Sequence, residues 1–233
     1  MTLPTRASVL ASIAADPGLR ALHAEVRGGE DSAHDEAHLL RVAVWTLRIG
    51  GADVDAREAL GAALLHDLVN VPKDHPDRAR ASELSAEAAR PLLTAAGFGA
   101  EAVARMADAI RDHSFSRGAV PTSALGRALQ DADRLEALGA IGIARTFATG
   151  QRMGARFFHP EDPFGRARAL DDRAFSVDHF YKKLLGLTQT MRTARGRAEA
   201  ERRTALLRDF LSALADELGE DAAGVTCAPE DRP

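Results

Sequence analysis

The sequence predicts an all-α fold, a single-domain helical bundle, on three observations. Apolar residues recur at intervals of three and four along nearly the whole chain, the period of one helix face. Runs rich in Ala, Leu, Arg and Glu dominate, and these are strong helix formers. No segment alternates apolar and polar residues over the length of a strand, and no internal repeat is visible.

Glycine and proline breaks then set the elements in order. Helices are expected near 4–16 and 18–27, the second stopped by Gly28-Gly29. A third, near 35–49, ends at Gly50-Gly51, and a fourth, near 55–67, is followed by Val71-Pro72. Helices near 82–96 and 99–113 flank the break at Gly97 to Gly99, and one near 122–137 opens after Gly118 to Pro121. The next, near 139–149, runs into a Gly/Pro-rich stretch, and helices near 176–193 and 196–218 complete the set. Residues 1–218 thus read as one domain, and residues 219–233, polar and punctuated by proline, as a flexible tail. The 150–175 stretch is too long for an ordinary connection. It reads either as a lid or binding loop, its arginines drawn to phosphates, or as a surface excursion with its phenylalanines tucked back.

Composition narrows the function classes. With 233 residues and 45% hydrophobic content, the chain can bury a core without staples. One cysteine among 233 residues excludes a disulfide framework and suits a reducing compartment. The N-terminus lacks a continuous apolar stretch of the signal-peptide kind, and nothing approaches a membrane span. A cytoplasmic location is therefore expected. A net charge of −4 and 5% aromatic residues argue against a nucleic-acid polymer as partner. A small charged substrate remains compatible, because a local basic pocket fits inside an acidic total. Oligomeric state is open, a homodimer being one option.

The chemistry lies where polar residues fall on apolar stripes. Val42, Trp45 and Ile49 form a stripe that reaches His38 one turn earlier. Leu60 and Leu64 lead to Asp67, while His66 comes after the small-residue face Ala59, Ala62 and Ala63. Leu125 and Leu129 lead to Asp133. Taken singly, His38 also fits a hydrogen-bonded core histidine. Asp67 also fits a cap or an ion pair with Lys73 or Arg57, and Asp133 a pair with neighbours of Arg134. Together, two carboxylates aimed at a core need pairing or a metal. With two histidines they make a candidate divalent-cation site of mixed N and O donors.

The ordered set His38-x-x-Arg41-Val42, His66-Asp67 within ALLHDLVN, and Asp133 within DADRLEALG resembles the HD-domain metal-dependent phosphohydrolase superfamily. The segments VPKDHPDRARAS, DHSFSRG and LGAIGIARTF resemble a branch of small stand-alone bacterial HD proteins that includes nucleotide pyrophosphohydrolases, and the likeness covers roughly residues 30–215. It implies an HD-type helical bundle and one divalent metal held by His38, His66, Asp67 and Asp133. It also implies hydrolysis of a small phosphorylated substrate, a nucleoside triphosphate cut to monophosphate and pyrophosphate. Phosphoanhydride hydrolysis needs a placed water and charge neutralisation, which a divalent ion supplies. Mixed His/Asp donors favour Mn²⁺, with Fe²⁺, Co²⁺ and Ni²⁺ close behind and Mg²⁺ further off.

Lys73, six residues past Asp67 and beyond Pro72, can turn back as a phosphate clamp or remain a solvated loop lysine. His113, at a helix end, is a catalytic candidate as phosphate donor, acid or second-metal ligand; a helix C-terminus also favours histidine without any such role. His34, one turn before His38, is a substrate-binding candidate or an N-terminal hydrogen-bonding residue. Asn70 is grouped with it as substrate-binding, standing where many relatives carry an acid, so no general-base role transfers to it. Three rival readings stand beside the pyrophosphohydrolase: a 5′-nucleotidase or phosphomonoesterase, a non-catalytic nucleotide or metal sensor, and a two-iron O₂-activating enzyme using His75 and His113.

Overall fold

Nine of the ten expected helices form close to their sequence-derived bounds in a computed structural model, which describes residues 3–26, 36–69, 71, 80–114 and 117–227. The described residues carry ten α-helices and no strand beyond an isolated bridge between Arg156 and Phe175. They are α1 (Arg6–Ala15), α2 (Pro17–Val26), α3 (Glu36–Gly50), α4 (Ala56–Leu65), α5 (Ala81–Ala95), α6 (Ala100–Asp112), α7 (Ala124–Leu135), α8 (Gly139–Arg152), α9 (Ser176–His179) and α10 (Ala194–Leu218). The all-α expectation holds. The described residues divide into two compact units, one up to Asp133 and one from Arg134 onward.

In the first unit, local chemistry starts each helix. Thr5 and Ser8 form a reciprocal capping box at α1, and Asp16 Oδ1 accepts from Leu19 N at 2.9 Å to open α2. Asp55 Oδ1 accepts from Glu58 N at 2.9 Å to open α4. Such caps satisfy backbone donors that the helix cannot use. α4 is the spine of this unit, packed against α2, α3 and α6, and α6 in turn lies on α5. Its small residues permit that crowding. Ala59, Ala62 and Ala63 are fully buried, and a Cβ added at Gly61 would stand 3.2 Å from Phe98 Cζ and 3.3 Å from Met106 Sδ. Leu40, Leu64, Leu65, Leu93, Met106 and Ile110 fill the core around it.

The second unit departs from expectation in two places. The helix predicted over 176–193 is broken. After the single turn α9, Leu185 N donates to Phe180 O at 2.9 Å, an i→i−5 bond that makes Phe180–Leu184 a π-turn. Gly186 separates it from a 3₁₀ turn at Leu187–Thr190. An extra residue per turn keeps Phe180, Tyr181 and Leu184 buried while rotating the residues beyond it about the helix axis. The second departure is in residues 219–227 of the expected tail, residues 228–233 lying outside the described residues. α10 ends at Gly219, whose φ of 69° is left-handed. The chain then returns to the unit, with Val225 fully buried and Tyr181 Oη donating to Val225 O at 2.8 Å. Polar composition hid this apolar anchor.

The 150–175 stretch folds back on its own unit. Phe164 is buried, whereas Phe157 stays 56% exposed. Arg168, expected among the phosphate-seeking arginines, is committed elsewhere: its Nη1 and Nη2 donate to Asp178 at 2.6 and 2.7 Å.

Candidate metal centre

Three helix ends and one helix face converge in the first unit. His38 sits in the first turns of α3, 1% exposed. His66 caps the C-terminus of α4 and Asp67 stands next in the turn. Asp133 comes from the last turns of α7. His38 Nε2 lies 3.2 Å from His66 Nε2 and 3.7 Å from both Asp67 Oδ2 and Asp133 Oδ1. His66 Nε2 lies 3.5 Å from Asp67 Oδ2 and 3.9 Å from Asp133 Oδ1. Ligand atoms around one ion, at bonds of about 2.1 Å, stand roughly 3.0–3.4 Å apart. The His38–His66 pair has that spacing, and the carboxylate oxygens stand a few tenths of an ångström wider, at 3.5–3.9 Å from the imidazole nitrogens.

The protonation pattern also fits a cation. His66 Nδ1 is 2.8 Å from Ala63 O; a carbonyl only accepts, so the ring carries its proton on Nδ1 and points a lone pair from Nε2 into the cluster. Burial, together with the neighbouring histidines His113 and His38, pushes His66 down to about 4 against the pull of Asp67 and Asp133. At neutral pH it is unprotonated, with Nε2 free to act as a donor atom. Burial would raise the Asp67 carboxyl, but the His66 ring and the polar contacts of His113 and His38 outweigh it and hold it well below the ordinary carboxylate range. The cluster is rich in acceptors and poor in protons, which is the condition for divalent-metal binding. His38, His66 and Asp67 all place a donor atom within 4.8 Å of one another.

Both aspartates differ from the sequence expectation in one respect. Their side chains are 25% and 26% exposed rather than core-facing, so the cluster is buried on its histidine side and open on its carboxylate side. Asp67 lies two residues past the end of α4 at Leu65, whereas Asp133, equally exposed, lies within α7. Asp67 does not pair with Arg57, which reaches Asp16 at 2.7 Å and Ala96 O at 2.8 Å.

His113 joins the cluster. It caps the C-terminus of α6 as His66 caps α4, with Nδ1 2.6 Å from Ile110 O. Its Nε2 stands 3.4 Å from Asp67 Oδ1, the oxygen turned away from the other histidines, and its ring meets His66 edge-on at 4.9 Å between centroids. Burial works against the His113 cation, but the contact with Asp67 and the charge of Asp133 prevail and raise its pKa. The helix C-terminus favours the same cation. His34, Asn70, Lys73 and His75 lie outside the described residues.

Protein stripped of metal is expected to lose stability in acid. His66 has a folded value of about 4 against an ordinary 6.5. Between those values the unfolded chain binds the proton and the folded one does not, so stability rises with pH across that window. Acidifying from pH 7 to pH 4 is expected to cost on the order of 3 kcal/mol from this residue. His113 has the opposite sign: its contribution is complete below about pH 6.5 and is lost as pH rises through its folded value. Denaturant midpoints measured from pH 4 to 9 test both, and a His66→Asn variant with the same acid slope as the parent would refute the first.

The HD domain family matches residues 36–138, the stretch from α3 to just past α7. YpgQ of Bacillus subtilis (strain 168) is 35% identical over 201 residues, covering 84% of this chain and 88% of YpgQ. The crystal structure of YpgQ in complex with ADP aligns with a TM-score of 0.66 at 29% identity, covering 91% of this chain and 96% of that one. The crystal structure of an HD-superfamily hydrolase from Bacillus thuringiensis aligns with a TM-score of 0.66 at 27% identity, covering 93% of this chain and 100% of the other. No helix among the described residues is long and apolar enough to cross a membrane. The likeness in sequence and fold runs over most of both partners, and the chain belongs to the HD-domain phosphohydrolase superfamily.

Proposed function

We propose that this chain is a divalent-metal-dependent cytoplasmic phosphohydrolase that cuts a nucleoside triphosphate at the α-phosphorus, giving monophosphate and pyrophosphate. The observation that carries the reading is the cluster of His38, His66 and Asp67, with its paired Nε2 atoms 3.2 Å apart and Asp133 Oδ1 3.7 and 3.9 Å from them, which we assign as the fourth ligand. YpgQ, at 35% identity, has been crystallised with ADP, which supports a nucleotide as substrate. Two imidazoles and two carboxylates favour Mn²⁺, with Fe²⁺, Co²⁺ or Ni²⁺ as substitutes and Mg²⁺ less suited. A divalent ion in this ring supplies charge neutralisation on phosphate oxygens and a more acidic water.

The remaining work falls to the chain. Ala63 O fixes the His66 ring so that Nε2 stays a donor atom. Asp67 uses Oδ2 toward the histidine pair and Oδ1 toward His113. The Asp67 contact that raises His113 favours a proton on Nε2 beside the open side of the cluster, from where the ring can serve a phosphate oxygen or the leaving group. Lys73 is assigned to hold distal phosphates, and His34 and Asn70 to contact substrate.

The test is hydrolysis in ¹⁸O-labelled water with Mn²⁺ across a nucleotide panel, reading pyrophosphate and orthophosphate separately. Label in the monophosphate together with free pyrophosphate is expected. Orthophosphate alone, released from monophosphates as readily as from triphosphates, would establish a phosphomonoesterase instead; no turnover with any ion would leave a sensor. Lys73→Ala is expected to lower kcat/KM by about 10- to 100-fold, the value of one charge-assisted phosphate contact, with metal content unchanged. Unchanged kcat/KM across the panel would return Lys73 to the solvent.

A further inference from the structure

Among the buried polar residues of the first unit, Gln130 has no place in the ligand set. It lies on α7, one turn before Asp133, and is fully buried. Its Nε2 donates to Asp112 O at 2.8 Å and to Ala119 O at 2.9 Å. Both neighbours only accept, so the amide orientation is fixed by chemistry: the NH₂ faces them and spends both hydrogens there. Asp112 is the last residue of α6, and its carbonyl is one of those a helix end leaves without an intrahelical partner. Ala119 lies on the far side of the connection to α7. One side chain thus staples both shoulders of that connection to the helix that carries Asp133.

His113 hangs directly from this staple. Its ring is tied by Nδ1 to Ile110 O, so its direction is set by the last turn of α6, and the position of that turn is set at Asp112. The Asp112 side chain is held as well: Arg111 grips it at 2.8 and 2.7 Å. Arg117 adds a contact at 3.5 Å and also pairs with Glu83 of α5. Of these anchors, Gln130 is the one that comes from α7.

We propose that Gln130 is a positioning residue for His113: it holds the end of α6 against α7 so that His113 Nε2 addresses Asp67 Oδ1. Its effect on turnover rests on the phosphohydrolase reading above, whereas its effect on His113 does not. Gln130→Met keeps the length and removes both donors. In the Mn²⁺-loaded enzyme it is expected to lower kcat about tenfold, with KM and metal affinity near those of the parent. In a His113→Ala background the same substitution should cost little more, because residues acting through one another are non-additive.

Two readouts need no turnover. The ring ¹⁵N–¹H signals of His113 are expected to move in Gln130→Met, and backbone hydrogen exchange to quicken at Asp112–Ser114 and Arg117–Ala119 while the α4 core stays protected. Gln130→Asn, one methylene short of spanning both carbonyls, should show the same changes in smaller measure and serves if the Met variant fails to fold. Unmoved His113 signals, or a kcat loss that multiplies fully with that of His113→Ala, would overturn the proposal. So would exchange that quickens uniformly across the chain. An inactive parent would instead remove the phosphohydrolase reading and leave the signal and exchange measurements to decide the positioning role.

Discussion

Asp133→Ala is expected to abolish tight metal binding and turnover together. Asp133 is the carboxylate that α7 brings to the cluster, with Oδ1 3.7 and 3.9 Å from the two imidazole Nε2 atoms, and the proposed fourth ligand. Changes one shell further out already cost 10- to 100-fold in metal affinity, so loss of a ligand should cost well over 100-fold. The stability signature is distinctive. Metal present at 100 times its dissociation constant stabilises the parent by about 2.7 kcal/mol, and that increment should vanish in the variant. The metal-free variant should be nearly as stable as the metal-free parent, because a carboxylate one-quarter exposed is cheap to remove and its loss relieves an acceptor-rich cluster. Denaturation with and without Mn²⁺, alongside emission spectrometry of the purified protein, tests this. Stoichiometric metal retained by the variant would defeat the ligand assignment.

The donor ring was legible because helix periodicity projects along a face. Val42 and Ile49 are buried as their spacing requires, and one turn back from Val42 the same face presents His38. Ala59, Ala62 and Ala63 proved to be fully buried, and they lead to His66. Leu125 and Leu129 locate Asp133 in the same way. Periodicity did not give the exposure of either carboxylate. Asp67 lies past the last residue of α4 and is one-quarter exposed, and Asp133, inside α7, is exposed to the same degree. The π-turn at Phe180–Leu184 was invisible as well: its apolar residues satisfy a 3.6 period locally, and the inserted residue shows only in the i→i−5 bond. Gln130 carries no periodic signal at all. Its role depends on where two carbonyls eleven and eighteen residues away come to rest, and that is a property of the fold.

Asp178→Ala is expected to be among the most destabilising single changes in the second unit. Asp178 is fully buried, and both of its oxygens are engaged: Arg168 binds them in a fork at 2.6 and 2.7 Å, and Asp171 N donates to Oδ2 at 2.7 Å. The fork closes the 150–175 stretch onto the start of α9, beside the backbone bonds from Arg156 N to Ala174 O at 2.8 Å and from Ser176 N to Arg156 O at 2.9 Å. Truncating one partner of a buried pair leaves the other charge without compensation, a loss of about 3–5 kcal/mol. Arg168 remains 18% exposed and can regain some water, which favours the lower end. For a chain of this length that is a fall in melting midpoint of roughly 6–12 °C. Asp178→Asn should lose less, since its amide oxygen still accepts from one donor. Arg168→Ala combined with Asp178→Ala should cost less than the sum of the two, because the double variant buries no unpaired charge. Additive losses, or a midpoint for Asp178→Ala within a degree of the parent, would show that the stretch is held by its backbone bonds and by Phe164 instead.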